Sequence, residues 1–232
     1  MEPEAQKYLE KDRLLHIDML EPLRLKEAKV LYAGEDGVLI QHIPGGIHML
    51  SAASQESAAR ISSLIQAAQL LVLHQPYLRE ELMRRFALHH AMPCHQAAWL
   101  KDTPVPALEE DADIRPLTIS ELPKVLLHYT NIPDPQYARE RLEAGMLGAY
   151  VAGELAGFIG THPEGTIGLL EVFPAYRRRG LALKLETAMM QRQQLLGRIP
   201  YAQVKEGNDA SVALHKKLGM EITQEASMCW LY

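Results

Sequence analysis

The sequence predicts a mixed α/β protein built as two related halves, and three observations carry that reading. The second half orders its elements as strand, two helices, three strands, helix, strand, helix and strand, which is one α/β domain. The first half runs through a similar, more worn order. Both close on a Trp-Leu pair, Trp99-Leu100 and Trp230-Leu231. The stretch DTPVPALEEDAD, residues 102–113, carries prolines and acidic residues without hydrophobic periodicity, as a linker does. The expected organisation is a divergent domain over 1–101, a linker over 102–112 and a second domain over 113–232. A loose chance alignment of two α/β segments is the other explanation of the repeat.

In the second half, Ile114 to Leu117 reads as a short strand and Ile119 to Tyr129 as a helix beginning near Thr118 or Ser120. Pro133 to Gly145 suggests another helix. Leu147 to Val151 and Leu155 to Thr161 alternate around a turn at Gly153-Glu154, a hairpin pattern. Ile167 to Phe173 is a third β-rich run, stopped by Pro174. Leu181, Leu185, Ala188, Met189, Leu195 and Leu196 fall at helical spacing before Gly197 and Pro200. Tyr201 to Val204 is a short strand. Asn208 can cap a helix with Ala210, Ala213, Leu214 and Leu218 on one face, ended by Gly219, and Ser227 to Tyr232 is a closing strand. In the first half, Ala28 to Ile43 resembles a hairpin turning at Glu35-Asp36-Gly37. Ser54 to Ala68 reads as a helix, Leu70 to Leu73 as a strand, and Leu78 to His89 as a second helix.

Net charge of -5 and a pI near 6.1 give no global attraction to nucleic acid, so a polyanion would need the local patch Arg177 to Arg179. Cys94 and Cys229 form no CxxC pair, which suits a reducing cytoplasm. The charged N-terminus lacks a signal-peptide apolar stretch, and no run of eighteen apolar residues offers a membrane span. His89, His90, Cys94 and His95 match no zinc spacing, so no metal is expected. Cys229, beside Trp230, reads as a small buried hydrophobe.

The chemistry concentrates where the third strand turns into the long helix: Leu170, Glu171, Val172, Pro174, Arg177, Arg178, Arg179, Gly180, Leu181, Ala182. A helix start carries unpaired N–H groups and partial positive charge, so it can hold a phosphate. Gly180 allows close approach, Ala182 keeps the first turn open, and the arginines add charge-assisted bonds. A solvated basic turn is the plainer reading of those arginines. Neither a Walker loop nor GxGxxG is present.

The string V-x-P-x-x-R-x-x-G-x-A, at Val172, Pro174, Arg177, Gly180 and Ala182, resembles the acyl-CoA signature of the GNAT superfamily of N-acyltransferases. Asn208, Ser211, Leu214, His215, Lys217, Gly219 and Met220 resemble its second signature. The resemblance covers roughly 113–232 and is similar, more loosely, to the glycine N-acyltransferase-like branch, whose first half is also divergent. It implies a GNAT-like fold, with a degenerate GNAT-like first half as structural partner or acceptor-site wall. It also implies acetyl-CoA or another short acyl-CoA as co-substrate and a small-molecule or peptide amine as acceptor, in a monomer or homodimer. Leu170 to Val172 would lend backbone bonds to the pantetheine and Arg177 to Ala182 would wrap the pyrophosphate. The thioester would sit where the strands at Ile167 to Phe173 and Tyr201 to Val204 splay. Asn208, with Ser211 and Lys217, would hold pantetheine, or Asn208 simply caps its helix. His215 stands where the family has a tyrosine that protonates the leaving thiolate, and an imidazolium can donate that proton. It can equally be a helix-surface histidine. Gln203 stands where some relatives have glutamate, and an amide cannot take a proton. Glu171, His162 or a water relay is then left as base. A non-catalytic acyl-CoA-binding regulatory module and, less favoured, a nucleic-acid-binding domain are the rival functions.

Overall fold

The computed structural model describes residues 2–107, 113–129 and 134–232. The expected mixed α/β architecture is borne out. In chain order the elements are α1 (Pro3–Leu9), α2 (Ile17–Arg24), β1 (Ala28–Gly34), β2 (Gly37–His42), β3 (His48–Ala52), α3 (Gln55–Ser62), β4 (Leu71–Leu73), α4 (Arg79–Phe86) and β5 (Ala91–Ala98). There follow β6 (Asp113–Pro116), α5 (Leu122–His128), α6 (Pro135–Glu143), β7 (Leu147–Val151), β8 (Glu154–Thr161), β9 (Ile167–Val172), α7 (Leu181–Leu195), β10 (Tyr201–Lys205), α8 (Asp209–Leu218), β11 (Glu221–Ile222) and β12 (Met228–Leu231). Residues 108–112 of the expected linker, and Pro133, lie outside the described residues. Sequence periodicity did not reveal α1, α2, β3, β5 or β11.

Packing density divides the chain into two compact units that do not follow chain order. The first contains residues 1–98, 203–216 and 220–232, and the second contains 99–202 and 217–219. In the first unit β1, β2 and β3 form an antiparallel meander, β4 runs parallel to β3, and β12 lies between β4 and β5, antiparallel to both. Alternate residues feed two cores. Val38, Ile40, Met49, Val72, Met228 and Trp230 meet Tyr8, Leu9, Met19, Leu20 and Leu23 of α1 and α2. Leu39, Leu50, Leu71, Leu73, Cys229 and Leu231 meet Ala58, Ile61 and Leu82 of α3 and α4. A sheet covered on both faces explains why β2, β4 and β12 read as apolar runs, which periodicity cannot distinguish from buried helix.

The second unit is an antiparallel series β6, β7, β8, β9 with β10 parallel to β9. On one face Leu117, Val125, Leu142, Met146, Leu155, Phe158, Leu169 and Phe173 form the core under α5 and α6. α7 packs on β7, β8 and β9 through buried Leu185, Ala188, Met189 and Met190. Leu195 and Leu196, expected on that apolar face, are 89% and 58% exposed. The helix ends there, so its last turn overruns the sheet. Residues 102–107, part of the expected linker, run along α7: Val105 N–H donates to Gln194 (2.8 Å) and Gln191 to the Pro106 carbonyl (2.6 Å).

Candidate functional site

β9 is broken in the middle. Phe158 opposes Glu171 and Gly160 opposes Gly168, so Leu169 and Leu170 together face the single residue Ile159, and Leu169 takes φ +52°. This is a β-bulge, which bends a strand and re-aims its backbone groups. The parallel ladder between β9 and β10 is one register pair, Ala202 with Ile167. Past the bulge, Glu171 shares the face of its cross-strand neighbour Phe158 and of Phe173. Phe173 stacks on His128 at 3.8 Å and Phe158 meets Tyr129 edge-on. Burial, and secondarily the Glu171 charge, raise the Tyr129 phenol above its ordinary range, so it stays protonated at neutral pH.

After Val172 the chain makes a single 3₁₀ turn at Pro174–Tyr176 and enters α7 through Gly180, at φ +77°. Arg178 also has a positive φ, +62°, a conformation in which a non-glycine residue is strained and worth a functional explanation. The first intrahelical bond of α7 runs from Lys184 N–H to the Gly180 carbonyl (3.1 Å), and no side chain caps the helix. Nothing lies within 4 Å of the position a Gly180 Cβ would occupy. The start of a 15-residue helix is therefore open, with exposed Arg177, Arg178 and Arg179 leading into it and partly exposed Leu181 and Ala182 forming its first turn. Arg177 folds back on β9: its Nε–H donates to the Val172 carbonyl (2.9 Å) and Nη2 to Glu171 Oε1 (3.0 Å). Arg179 lies over the Tyr176 ring at 5.6 Å.

Asn208, Ser211 and His215 share the α8 segment. Asn208 Oδ1 accepts from Ser211 N–H (3.2 Å), so it does cap the helix, through its carbonyl end. His215 is not a helix-surface histidine. It is 4% exposed, the buried residue of α8, while Ala210 and Ala213 of the expected apolar face are exposed. Its Nδ1–H donates to the Ser211 carbonyl at 2.7 Å, one helical turn back. Lys217 is exposed. His162 lies against Gly168, with Nδ1 2.5 Å from the Tyr137 hydroxyl.

Sequence reasoning missed a buried polar network in the first unit. His74 Nδ1 faces the Leu50 carbonyl (3.2 Å) and Nε2 faces Asp18 Oδ1 (2.8 Å). Both ring nitrogens face acceptors, and only the protonated ring can donate to both. Burial opposes that charge, but the Asp18 carboxylate and its hydrogen bond outweigh it and raise the His74 pKa. Trp230 Nε1 can only donate, and it donates to Gln203 Oε1 (2.6 Å), which fixes the Gln203 NH₂ on Asp18 Oδ2 (3.1 Å). A glutamate at 203 would set a second buried carboxylate beside Asp18, and this is a physical reason for the amide. His16 is the neutral counterpart. Nδ1–H donates to the Leu9 carbonyl (2.9 Å), while Nε2 accepts from Ser51 (2.8 Å), whose Oγ receives Gln75. Burial, then the neighbouring His74 charge, push His16 down to about 4. The only sequence signal was one charged residue inside the apolar run Ile17-Asp18-Met19-Leu20; its partner lies far along the chain.

Burial raises the Cys94 thiol to about 12, so it is no nucleophile. Among the described residues no three metal-ligating side chains gather, and no helix is long and apolar enough to cross a membrane.

Residues 145–231 match the sequence profile of the family described as FR47-like protein. No curated protein matches. Among solved structures, a Drosophila protein aligns with TM-score 0.62 at 19% identity over 84% of this chain and 73% of its own. A protein assigned to the GNAT family of acetyltransferases from Novosphingobium aromaticivorans gives 0.57 at 21% identity, over 95% and 96%. A GCN5-related N-acetyltransferase from Kribbella flavida gives 0.52 at 14%, over 94% of each. With a bulged central strand leading to an open, arginine-flanked helix start, and with these likenesses, the chain has the fold of the GNAT N-acetyltransferases, and its residues 145–231 carry the FR47-like pattern.

Proposed function

We propose that this protein is an N-acyltransferase that moves an acetyl or other short acyl group from acyl-CoA to a primary amine by direct attack, without a covalent enzyme intermediate. The observation that carries the reading is the start of α7, where Gly180 at φ +77° leaves the first turn without a side-chain cap, with Arg177 to Arg179 leading into it. Unpaired N–H groups, the helix dipole and guanidinium groups together suit a pyrophosphate. In this reading the backbone of Leu170 to Val172, beyond the last β9–β10 register pair at Ile167, bonds the pantetheine, and Asn208, Ser211 and Lys217 support it. Glu171 accepts the proton of the attacking amine and His215 returns one to the leaving thiolate. The acceptor is a small-molecule or peptide amine, the chain a monomer or homodimer of the cytoplasm, and the first half a degenerate copy of the second that has lost its own cofactor site.

Calorimetry with acetyl-CoA tests this directly, with a single CoA bound per chain as the expected result. Two equivalent sites, or none at millimolar acetyl-CoA, would sink it. Thiol release across amino acids, polyamines, aminoglycosides and peptide N-termini then identifies the acceptor. On an active acceptor, His215→Ala should lower turnover about 10²-fold with acyl-CoA affinity nearly unchanged. A second reading, a non-catalytic acyl-CoA-binding module, is favoured by two observations: His215 is 4% exposed, and the Gln203 amide is consumed by Asp18 and Trp230. Binding without thiol release on any acceptor would select it.

A further inference from the structure

We propose that Glu171 is a stand-in anion for Arg177, holding the guanidinium poised until a phosphate of acyl-CoA displaces it, so that acyl-CoA binding uncovers the Glu171 carboxylate. The inference rests on the acyl-CoA reading above. Of the three arginines before α7, Arg177 alone has a carboxylate partner among the described residues, at 3.0 Å. Its Nε–H is tied to the Val172 carbonyl, which fixes the plane of the fork and leaves the outer nitrogen to exchange partners. A phosphate offers the nitrogens left free of Val172 more acceptor oxygens and a larger charge than the carboxylate does, and arginine binds such groups strongly.

Exposure makes the exchange cheap. The Arg177 side chain is 58% exposed and that of Glu171 25%, so the pair is a half-screened surface bridge of small worth. A phosphate approaching the Gly180 turn reaches the guanidinium from solvent, and the carboxylate stays behind. Glu171 is held there by its strand, on the face it shares with Phe158 and Phe173, two positions beyond the bulged Leu169. The Tyr129 phenol that feels its charge remains neutral and cannot replace the lost cation. The uncovered carboxylate then takes a new cation, and an ammonium acceptor supplies one. Glu171 is thereby a positioning residue for Arg177 in the free protein.

The test is calorimetric, with coenzyme A itself as probe. Glu171→Gln should tighten CoA about two- to fivefold, the factor that a surface pair of this kind is worth. In an Arg177→Ala background the same substitution should leave affinity unchanged. No tightening in the first case overturns the proposal. So does equal tightening in both, which would mean that Glu171 merely repels phosphate through its field. Should Arg177→Ala bind too weakly to titrate, the ¹⁵N-labelled Arg177 Nε–H resonance decides. It should move when CoA is added and sit already displaced in Glu171→Gln, and an unmoved resonance is a refutation. A wild-type chain that does not bind CoA at all refutes the acyl-CoA reading instead, a different result from binding without coupling.

Discussion

Two helices that follow a core strand, α3 in the first unit and α7 in the second, begin in opposite ways. α3 starts at Ser54, whose hydroxyl accepts from Ser57 N–H (3.1 Å) while Ser57 Oγ accepts from Ser54 N–H (3.0 Å). The capping box closes the helix on itself. α7 starts at Gly180 with no cap and arginines before it. The same contrast holds for charge. In the first unit Asp18 and His74 are fully enclosed and satisfy each other, whereas in the second Arg177 and Glu171 meet at the surface. A closed helix start and an enclosed ion pair serve stability, while an open start and a solvent-reachable pair can be used by a ligand. Whether a helix start is closed or open depends on a few residues at the strand-to-helix turn.

Breaking the enclosed pair should have the largest effect. Asp18→Ala strips His74 of the carboxylate that holds its charge and the Gln203 amide nitrogen of its acceptor in a dry interior, and should cost about 3–5 kcal/mol, read from denaturant midpoints. The corresponding loss at the surface, Arg177→Ala, should cost less than about 1 kcal/mol of stability. Equal costs would erase the contrast.

Next comes the pH dependence of the first unit. His16 is held near 4 in the folded chain against an ordinary 6.5, so its contribution is complete above pH 6.5 and is lost as pH falls toward 4, by about 3 kcal/mol. His74 has the opposite sign. Its folded value is raised, so its contribution is complete below 6.5 and fades as pH rises through that value. His16→Gln should flatten the loss between pH 6.5 and 4, and an unchanged slope would show that other groups set it.

Gly180→Val should weaken CoA at least tenfold, about 1.4 kcal/mol, because a β-branched residue disfavours φ +77° and its side chain would occupy the open approach. Calorimetry at matched fold, judged by circular dichroism, decides it. Ser54→Ala should lower stability by about 1 kcal/mol and Ser54→Gly by only a few tenths, neither creating a CoA site in α3. A second CoA bound by Ser54→Gly would mean that the cap alone kept the first half silent.

The second half was legible almost element by element, because its hairpin alternates by twos, Gly153 and Pro174 mark turns, and α7 repeats at helical spacing. The first half was less so: β3 is buried along its whole length and has no period to read, and β5 mixes Pro93, His95 and Gln96 among its apolar residues, which masks a strand. Of the candidate site, the contiguous part from Leu170 to Ala182 was readable, since a strand, a turn and a helix start follow one another along the chain. The start of α3 was readable only as the beginning of a helix over Ser54 to Ala68, and its Ser54–Ser57 capping box is a finding of the structure.

What the sequence alone determined is therefore the α/β class, the open glycine start of α7, the basic turn before it and the capping asparagine at 208, all set by residues within a few positions of each other. Tertiary structure decided the rest. It chose the partner of Arg177, buried His215 where periodicity expected alanines, joined Asp18 to His74 and Gln203, and set β12 between β4 and β5. Those outcomes depend on which distant groups meet in a low-dielectric interior, where an unpaired charge or amide is costly, and no local pattern encodes the identity of a partner 56 or 185 residues away.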